Sequence, residues 1–271
     1  MFFNNPEMES ILPDLILHAA IEAGERILEI YNREDFDIEL KDDKSPLTLA
    51  DKESHHKIIE FLKQTPYPVI SEESKSDAYS IRSQWPQYWL IDPLDGTKEF
   101  IKQNGEFTVN IALIRNGKPV MGVVYAPVKR WLYIGIEAEG AWKLELEDDK
   151  LPSNWKEKGQ QLPIPTDRNR KFTVVGSRSH ASEATDAFVA ELEAKHGELD
   201  FLSMGSSLKL CLVAEGKADI YPRLAPTMEW DTAAGDAVAR GAGCQVVQYE
   251  NGEPLQYNKE NLLNPWFIVR R

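Results

Sequence analysis

The stretch Trp89-Leu90-Ile91-Asp92-Pro93-Leu94-Asp95-Gly96-Thr97 decides how this chain is read. Trp89 to Ile91 are apolar and β-prone, so they form a buried strand that carries Asp92 at its end. Pro93 has no N–H to give a sheet ladder, so the strand is expected to stop there, with Asp95 following within one turn. Two carboxylates three residues apart on a rigid turn can converge on hard divalent cations. Gly96-Thr97 can then open a helix whose first N–H groups face an anion. A cation site beside an anion site is what phosphoryl transfer requires. Taken alone, the same residues are equally ordinary turn chemistry, with Asp95 or Thr97 as a helix cap.

Outward from this stretch, the pattern predicts two helices and then strands. Ile11, Leu12, Leu15, Ile16, Ala19, Ala20, Ala23, Ile27 and Tyr31 recur at helical spacing and predict a long amphipathic helix. A second helix is expected from near Thr48, burying Ile58, Ile59, Phe61 and Leu62 and ending before Pro66. Val69-Ile70, Tyr88–Ile91, Phe107–Ile114, Val120–Tyr125, Trp131–Ile134 and Ala141–Leu144 read as strands, with Asn116-Gly117 as a hairpin turn. Polar residues 145–171, with Pro152, Pro163 and Pro165, mark a border. Beyond it strands and helices alternate: strands at 172–175, 199–203, 219–221, 245–247 and 266–269, and helices at 183–195, 208–214 and 232–242. The expectation is an α+β half over residues 1–165 and an α/β half over 166–271.

Composition narrows the function. With 271 residues, 42% of them hydrophobic, the chain can bury a substantial core. A formal charge of -13 repels polynucleotides, whose affinity comes from neutralising phosphates with Lys and Arg. The two cysteines, Cys211 and Cys244, have no metal-ligand spacing and read as buried, reduced thiols of a reducing compartment. Met1 to Ser10 lacks the basic start of a signal peptide, and no run approaches the ~18 apolar residues of a spanning helix. A cytoplasmic protein is expected, with peripheral attachment to the inner membrane face left open.

Three further segments carry carboxylates. Ser71-Glu72-Glu73-Ser74 follows a strand, Glu229-Trp230-Asp231 precedes a helix, and Thr48-x-x-Asp51 is close to a capping box. Singly, each reads as a solvated loop or a cap, Asp231 as an N-cap. Together they change the reading. Trp89 with Asp92-Pro93-Leu94-Asp95-Gly96-Thr97 and Phe100 resembles the signature of the inositol monophosphatase superfamily, and Trp230-Asp231-Thr232-Ala233-Ala234-Gly235 resembles its second signature. The Ser45-Pro46-x-Thr48-x-x-Asp51 and Glu72-Glu73-Ser74 segments fall in the expected order, so the resemblance spans nearly the whole chain. Ser71 departs from it, since many relatives have Gly there. Lys98-Glu99-Phe100, Gly205–Lys209 and Glu215–Arg223 are similar to the superfamily's 3'(2'),5'-bisphosphate nucleotidases.

The resemblance implies a layered α-β-α-β-α sugar-phosphatase fold with the site between two halves. It implies Mg²⁺, with Mn²⁺ as a substitute: one ion on Glu72, Asp92 and the Leu94 carbonyl, a second on Asp92, Asp95 and Asp231, and a third near Glu72 left open. Oxygen-only ligands agree with these metals over Zn²⁺, and bound cations would invert the local sign so that an acidic protein can bind a phosphate ester. The catalytic residues implied are Asp51, Glu72 and Thr97, with Thr97 hydrogen-bonded to Asp51 and orienting water. Substrate contacts implied are Glu72, Leu94, Asp95, Gly96, Thr97, Ser206, Lys209 and Asp231, with Ser177, Arg178, Ser207 and Arg223 as further nucleotide contacts. Adenosine 3',5'-bisphosphate would yield AMP and phosphate, clearing a by-product of sulfate assimilation, with inhibition by Li⁺ and Ca²⁺. Two rivals stand beside this: an inositol or sugar monophosphatase on the same scaffold, and a non-catalytic protein binding metal or a phosphometabolite. The second would not need Thr97 or Asp51.

Overall fold

The computed structural model describes residues 6–32, 38–40, 46–166, 170–177 and 182–271. Ser45, Arg178 and the first five residues of the Met1 to Ser10 stretch, named above, lie outside the described residues. Three clusters of buried side chains define five layers. In the first layer α1 (Pro6–Tyr31) packs against α2 (Leu49–Leu62), beside a short ribbon of β1 (Ile38–Leu40) and β2 (Pro46–Thr48). The buried positions Leu12, Ile16, Ala20, Ala23 and Ile27 of α1 follow the stripe that the spacing predicts, whereas Ile11, expected on it, is exposed.

The second layer is a seven-stranded sheet in chain order: β3 (Val69–Ser71), β4 (Gln87–Asp95), β5 (Thr108–Arg115), β6 (Lys118–Ala126), β7 (Trp131–Ile136), β8 (Gly140–Glu145) and β9 (Gln160–Gln161). Only the β3–β4 pair is parallel. Short helices α3 (Tyr79–Arg82), α4 (Thr97–Ile101) and α5 (Trp155–Lys158) fill its connections. Both faces of this sheet are covered, which is why β4 to β7 read as near-continuous apolar runs rather than alternating ones. Trp89, Ile91, Val109, Ile111 and Val123 face α1 and α2, whereas Tyr88, Leu90, Ala112, Ile114 and Val124 face the other way. The β5–β6 hairpin turns at Asn116 (φ 51°) and Gly117 (φ 73°), the paired left-handed geometry that the Asn-Gly signal predicts.

The remaining layers come from residues 173–270. A five-stranded sheet runs in the order β11 (Asp200–Ser203), β10 (Thr173–Gly176), β12 (Ile220–Arg223), β14 (Phe267–Arg270), β13 (Gln245–Gln248). Helices α7 (Leu208–Glu215) and α8 (Glu229–Gly241) lie between the two sheets in one shared core, while α6 (Glu183–His196) covers the outer face. The result is the α-β-α-β-α layering expected from the resemblance. Cys211 and Cys244 are buried free thiols. No helix among the described residues is long and apolar enough to cross a membrane.

Helix α8 crosses the first sheet at close range. A Cβ added at Gly135 would sit 2.3 Å from the Ala237 carbonyl oxygen, so the helix backbone rests directly on β7. Gly135→Ala should therefore lower stability by about 1–3 kcal/mol, since backbone rather than a flexible side chain must move. Urea or thermal unfolding measures this, and an unchanged midpoint would mean that α8 can lift from the sheet freely.

Candidate active site

The decisive stretch does not end at Pro93. Strand β4 continues to Asp95 through an irregularity: Asp92 pairs with Asn110 and Asp95 with Thr108, so three steps on β4 oppose two on β5. In a regular strand, side chains three apart point to opposite faces. The extra residue breaks that alternation, and a β-bulge re-aims Asp95 toward the side of Asp92. Pro93 is tolerated because the bulge removes the need for its missing N–H, while its carbonyl accepts the buried Ser54 hydroxyl of α2 at 2.7 Å.

Asp231 also differs from its expected place. Helix α8 begins at Glu229 with Met228 as its N-cap, so Asp231 is the third helical residue rather than the cap. Its Oδ2 accepts the Met228 N–H at 2.8 Å and the Thr227 hydroxyl at 2.5 Å. Asp92 Oδ1 accepts the Leu94 N–H at 3.1 Å, and Asp95 Oδ2 accepts the Ser207 N–H at 2.6 Å. Each carboxylate thus has one oxygen fixed by a protein donor. Asp92, Asp95 and Asp231 offer ligand atoms that all lie within 4.8 Å of one another.

Glu72 leaves the end of β3, its N–H continuing the ladder to the Ile91 carbonyl. The Ser71 hydroxyl explains the departure at that position: it meets His55 Nδ1 at 2.9 Å and accepts the Glu73 N–H at 3.2 Å, fixing the turn that carries Glu72. A cleft of about 300 Å³ is lined by Glu72, Asp92, Leu94, Asp95 and Asp231, by Gly96 and Thr97 at the start of α4, and by Ser177, Ser206, Lys209 and Arg223. Asp51 lies fully buried in the first turn of α2 and within electrostatic reach of Asp92, but the hydrogen bond expected between it and Thr97 is not formed.

Burial pushes Asp92 well above the usual carboxylate range, reinforced by the charges of Glu72, Asp95, Asp231 and Asp51. Burial and the Asp231 charge push Asp95 up to about 7 against the pull of Lys209 and the Ser207 N–H. Asp231 is raised by burial, moderated by Thr227 and Met228. Lys209 is lowered by burial to about 8, with Asp95 opposing. Ser206 Oγ and Arg223 Nε are buried without a hydrogen-bond partner among the described residues. The cleft therefore combines crowded carboxylates with unused donors, and Lys209 and Arg223 lie within electrostatic reach of Asp231.

Sequence reasoning did not find Thr227 or the anchoring role of Ser207. Ser207, expected to touch a nucleotide, spends its hydroxyl on Asn110 at 2.7 Å and Thr108 at 2.9 Å. Thr227 had a weak signal, standing four residues before Asp231; Ser207 reaches a partner 112 positions away and had none.

Comparison with known proteins places this geometry. The model of the inositol monophosphatase family matches residues 10–266. The chain is 47% identical over 260 residues to the 3'(2'),5'-bisphosphate nucleotidase CysQ of Escherichia coli K12, covering 94% of this chain and 98% of that protein. It superimposes on the crystal structure of CysQ from Bacteroides thetaiotaomicron with a TM-score of 0.87 and 52% identity, covering 95% of this chain and 97% of the other. The extragenic suppressor protein suhB from Bartonella henselae shares the fold at a TM-score of 0.74 and 24% identity, covering 96% of this chain and 93% of that one.

The raised carboxylates set a pH dependence. In the unfolded chain Asp titrates near ~3.9. In the fold Asp95 holds its proton to about 7, so the native state binds more protons between these values. Stability of the metal-free protein should then fall as pH rises through that window. The expected melting temperature is higher at about pH 5 than at about pH 7.5, with the slope flattened by Asp231→Asn and largely removed by saturating Mg²⁺. A slope that Asp231→Asn leaves intact would assign it to the net surface charge instead.

Proposed function

The chain belongs to the inositol monophosphatase family, and from that premise we propose that it is a magnesium-dependent 3'(2'),5'-bisphosphate nucleotidase converting adenosine 3',5'-bisphosphate to AMP and phosphate. Relatives named for that phosphatase activity match along nearly the whole chain. The observation that carries the substrate class is the mixed lining of the cleft. Beside the carboxylates it holds Lys209, Arg223 and a Ser206 hydroxyl without a hydrogen-bond partner among the described residues. An inositol monophosphate has one strongly anionic group; a nucleoside bisphosphate has two, one for a cation site and one for these donors.

The donor set suits a hard cation. All candidate ligands are oxygens, and each of the three aspartates has one oxygen anchored by the protein, leaving the other for a metal. Glu72, Asp92 and the Leu94 carbonyl would hold one ion, and Asp92, Asp95 and Asp231 a second. Mn²⁺ would substitute. Magnesium bound there supplies positive charge that draws in the phosphate and acidifies water. Thr97, backed by Asp51, would orient the attacking water and draw off its proton, with Glu72 on the same wall. The Gly96 and Thr97 N–H groups would hold non-reacting phosphate oxygens. Ser206 and Lys209 would hold the distal phosphate, with Arg223 and Ser177 beside it. The setting proposed is the cytoplasm, clearing a by-product of sulfate assimilation, with Li⁺ inhibiting at the second metal position.

Phosphate release with Mg²⁺ separates the readings when adenosine 3',5'-bisphosphate is compared with inositol 1-phosphate, each with and without Li⁺. The expected result is strong preference for the nucleotide and loss of activity with Li⁺. Preference for inositol phosphate would overturn the substrate class while keeping the metal chemistry, and release from neither would return a non-catalytic role. Asp231→Asn should cut kcat about a hundredfold or more with the fold retained; full activity in that variant would remove Asp231 from the metal set.

A further inference from the structure

The loop Gly205-Ser206-Ser207 follows β11 in the second sheet, yet residues beside the first sheet hold it at both ends. At one end the Gly205 N–H donates to Glu106 Oε2 at 2.8 Å. At the other the Ser207 N–H donates to Asp95 and the Ser207 hydroxyl meets Asn110 and Thr108. Ser206, between the two clamps, has φ 49°, in the left-handed region where a serine stays only if its neighbours fix it. Its carbonyl accepts the Lys209 ammonium, and the residue lines the cleft.

Glu106 is 7% exposed and its side chain is not part of the cleft wall. No step of the proposed reaction uses it. Its position is nonetheless tightly set. Its N–H donates to Asn104 Oδ1 at 2.9 Å, and a Cβ on Gly205 would stand 2.7 Å from the Glu106 carbonyl oxygen and 2.8 Å from Glu99 Cγ. Loop and glutamate are in backbone contact, so a glycine is required where they meet.

We propose that Glu106 is a positioning residue: by accepting the Gly205 N–H it fixes the 205–207 loop, and through that loop it orients Asp95 and places Ser206 and Lys209 toward the distal anion. The loop touches both the carboxylates and the donors of the cleft. Its Ser207 N–H holds Asp95 Oδ2, and its Ser206 carbonyl holds the Lys209 ammonium. A carboxylate is a strong acceptor for a buried N–H. What the loop needs is an acceptor at that distance, and a glutamine amide oxygen can provide one.

Glu106→Gln and Glu106→Asp in the full chain separate reach from charge. Glutamine keeps the reach and loses the charge; aspartate keeps the charge and falls one methylene short. The first readout is Mn²⁺ binding without substrate, followed by the paramagnetic resonance of the free ion. The second is kcat and KM for adenosine 3',5'-bisphosphate against adenosine 3'-monophosphate, which lacks the distal phosphate. Glu106→Asp is expected to weaken Mn²⁺ binding several-fold and to raise KM for the bisphosphate about tenfold, with a smaller effect on the monophosphate. Glu106→Gln should stay within about twofold of the unmodified protein on both readouts. Aspartate behaving like the unmodified protein, or glutamine failing as badly as aspartate, would overturn the proposal. The part concerning the distal anion rests on the nucleotidase reading. If the unmodified protein ignores the bisphosphate, that reading fails, and Mn²⁺ binding by the two variants still decides whether Glu106 positions Asp95.

Discussion

Mutual repulsion among buried carboxylates is the constraint around which this molecule is arranged. Asp92, Asp95 and Asp231 are forced within reach of one another in a setting that disfavours their charge, with Glu72 and Asp51 adding to the field. Nothing about such a cluster is self-stabilising. It persists because each aspartate is held from behind by donors of the backbone or of a neighbouring side chain, and those donors sit on three separate pieces of chain: the β4 bulge, the 205–207 loop and the first turn of α8. The core supplies the energy that keeps the pieces together, and each aspartate keeps a second oxygen that these bonds do not use.

The contacts between the two sheets share this logic. Glu215, at the end of α7 and fully buried, receives the Tyr133 hydroxyl and the Lys143 ammonium from the first sheet, together with Lys217. Glu229, in the first turn of α8 and equally buried, takes the Asn258 and Lys259 N–H groups and the Lys259 ammonium. Each is a costly buried charge, acceptable only because its lone pairs are filled. Both lie on the helices sandwiched between the sheets, so they specify how those helices are seated as much as they add stability. A helix seated through Glu229 delivers Asp231 to a defined place.

Local sequence carried most of the element order. The hydrophobic spacing of α1, the Asn-Gly turn and the strand–helix alternation after residue 172 are short-range signals, and the elements stand close to where those signals put them. It misled where a residue's ordinary preference was overruled by its surroundings. Pro93 should end a strand, but a bulge absorbs it. Asp231 should cap a helix, but the helix starts three residues earlier than expected because Met228 takes the cap position. The four carboxylate positions were recognisable only as a set, through family resemblance, since each alone is indistinguishable from a turn or a cap. Ser207, Asn110 and Glu106 were illegible for another reason. Their partners lie about a hundred residues away, and neither periodicity nor local propensity contains that information.

The sandwiched position of α7 and α8 has a bearing on how the chain is made. A growing polypeptide that has emerged only as far as β9 already contains every strand of the first sheet and both helices that cover its outer face. The inner face, with Tyr88, Leu90, Ile114, Val124 and Tyr133, has nothing to lie against until residues 208–241 follow. Antiparallel hairpins of this kind form from neighbouring segments and need not wait. Synthesis thus passes through a stage at which a nearly finished sheet presents one greasy side to its surroundings, with the acidic residues 72, 92 and 95 at its rim.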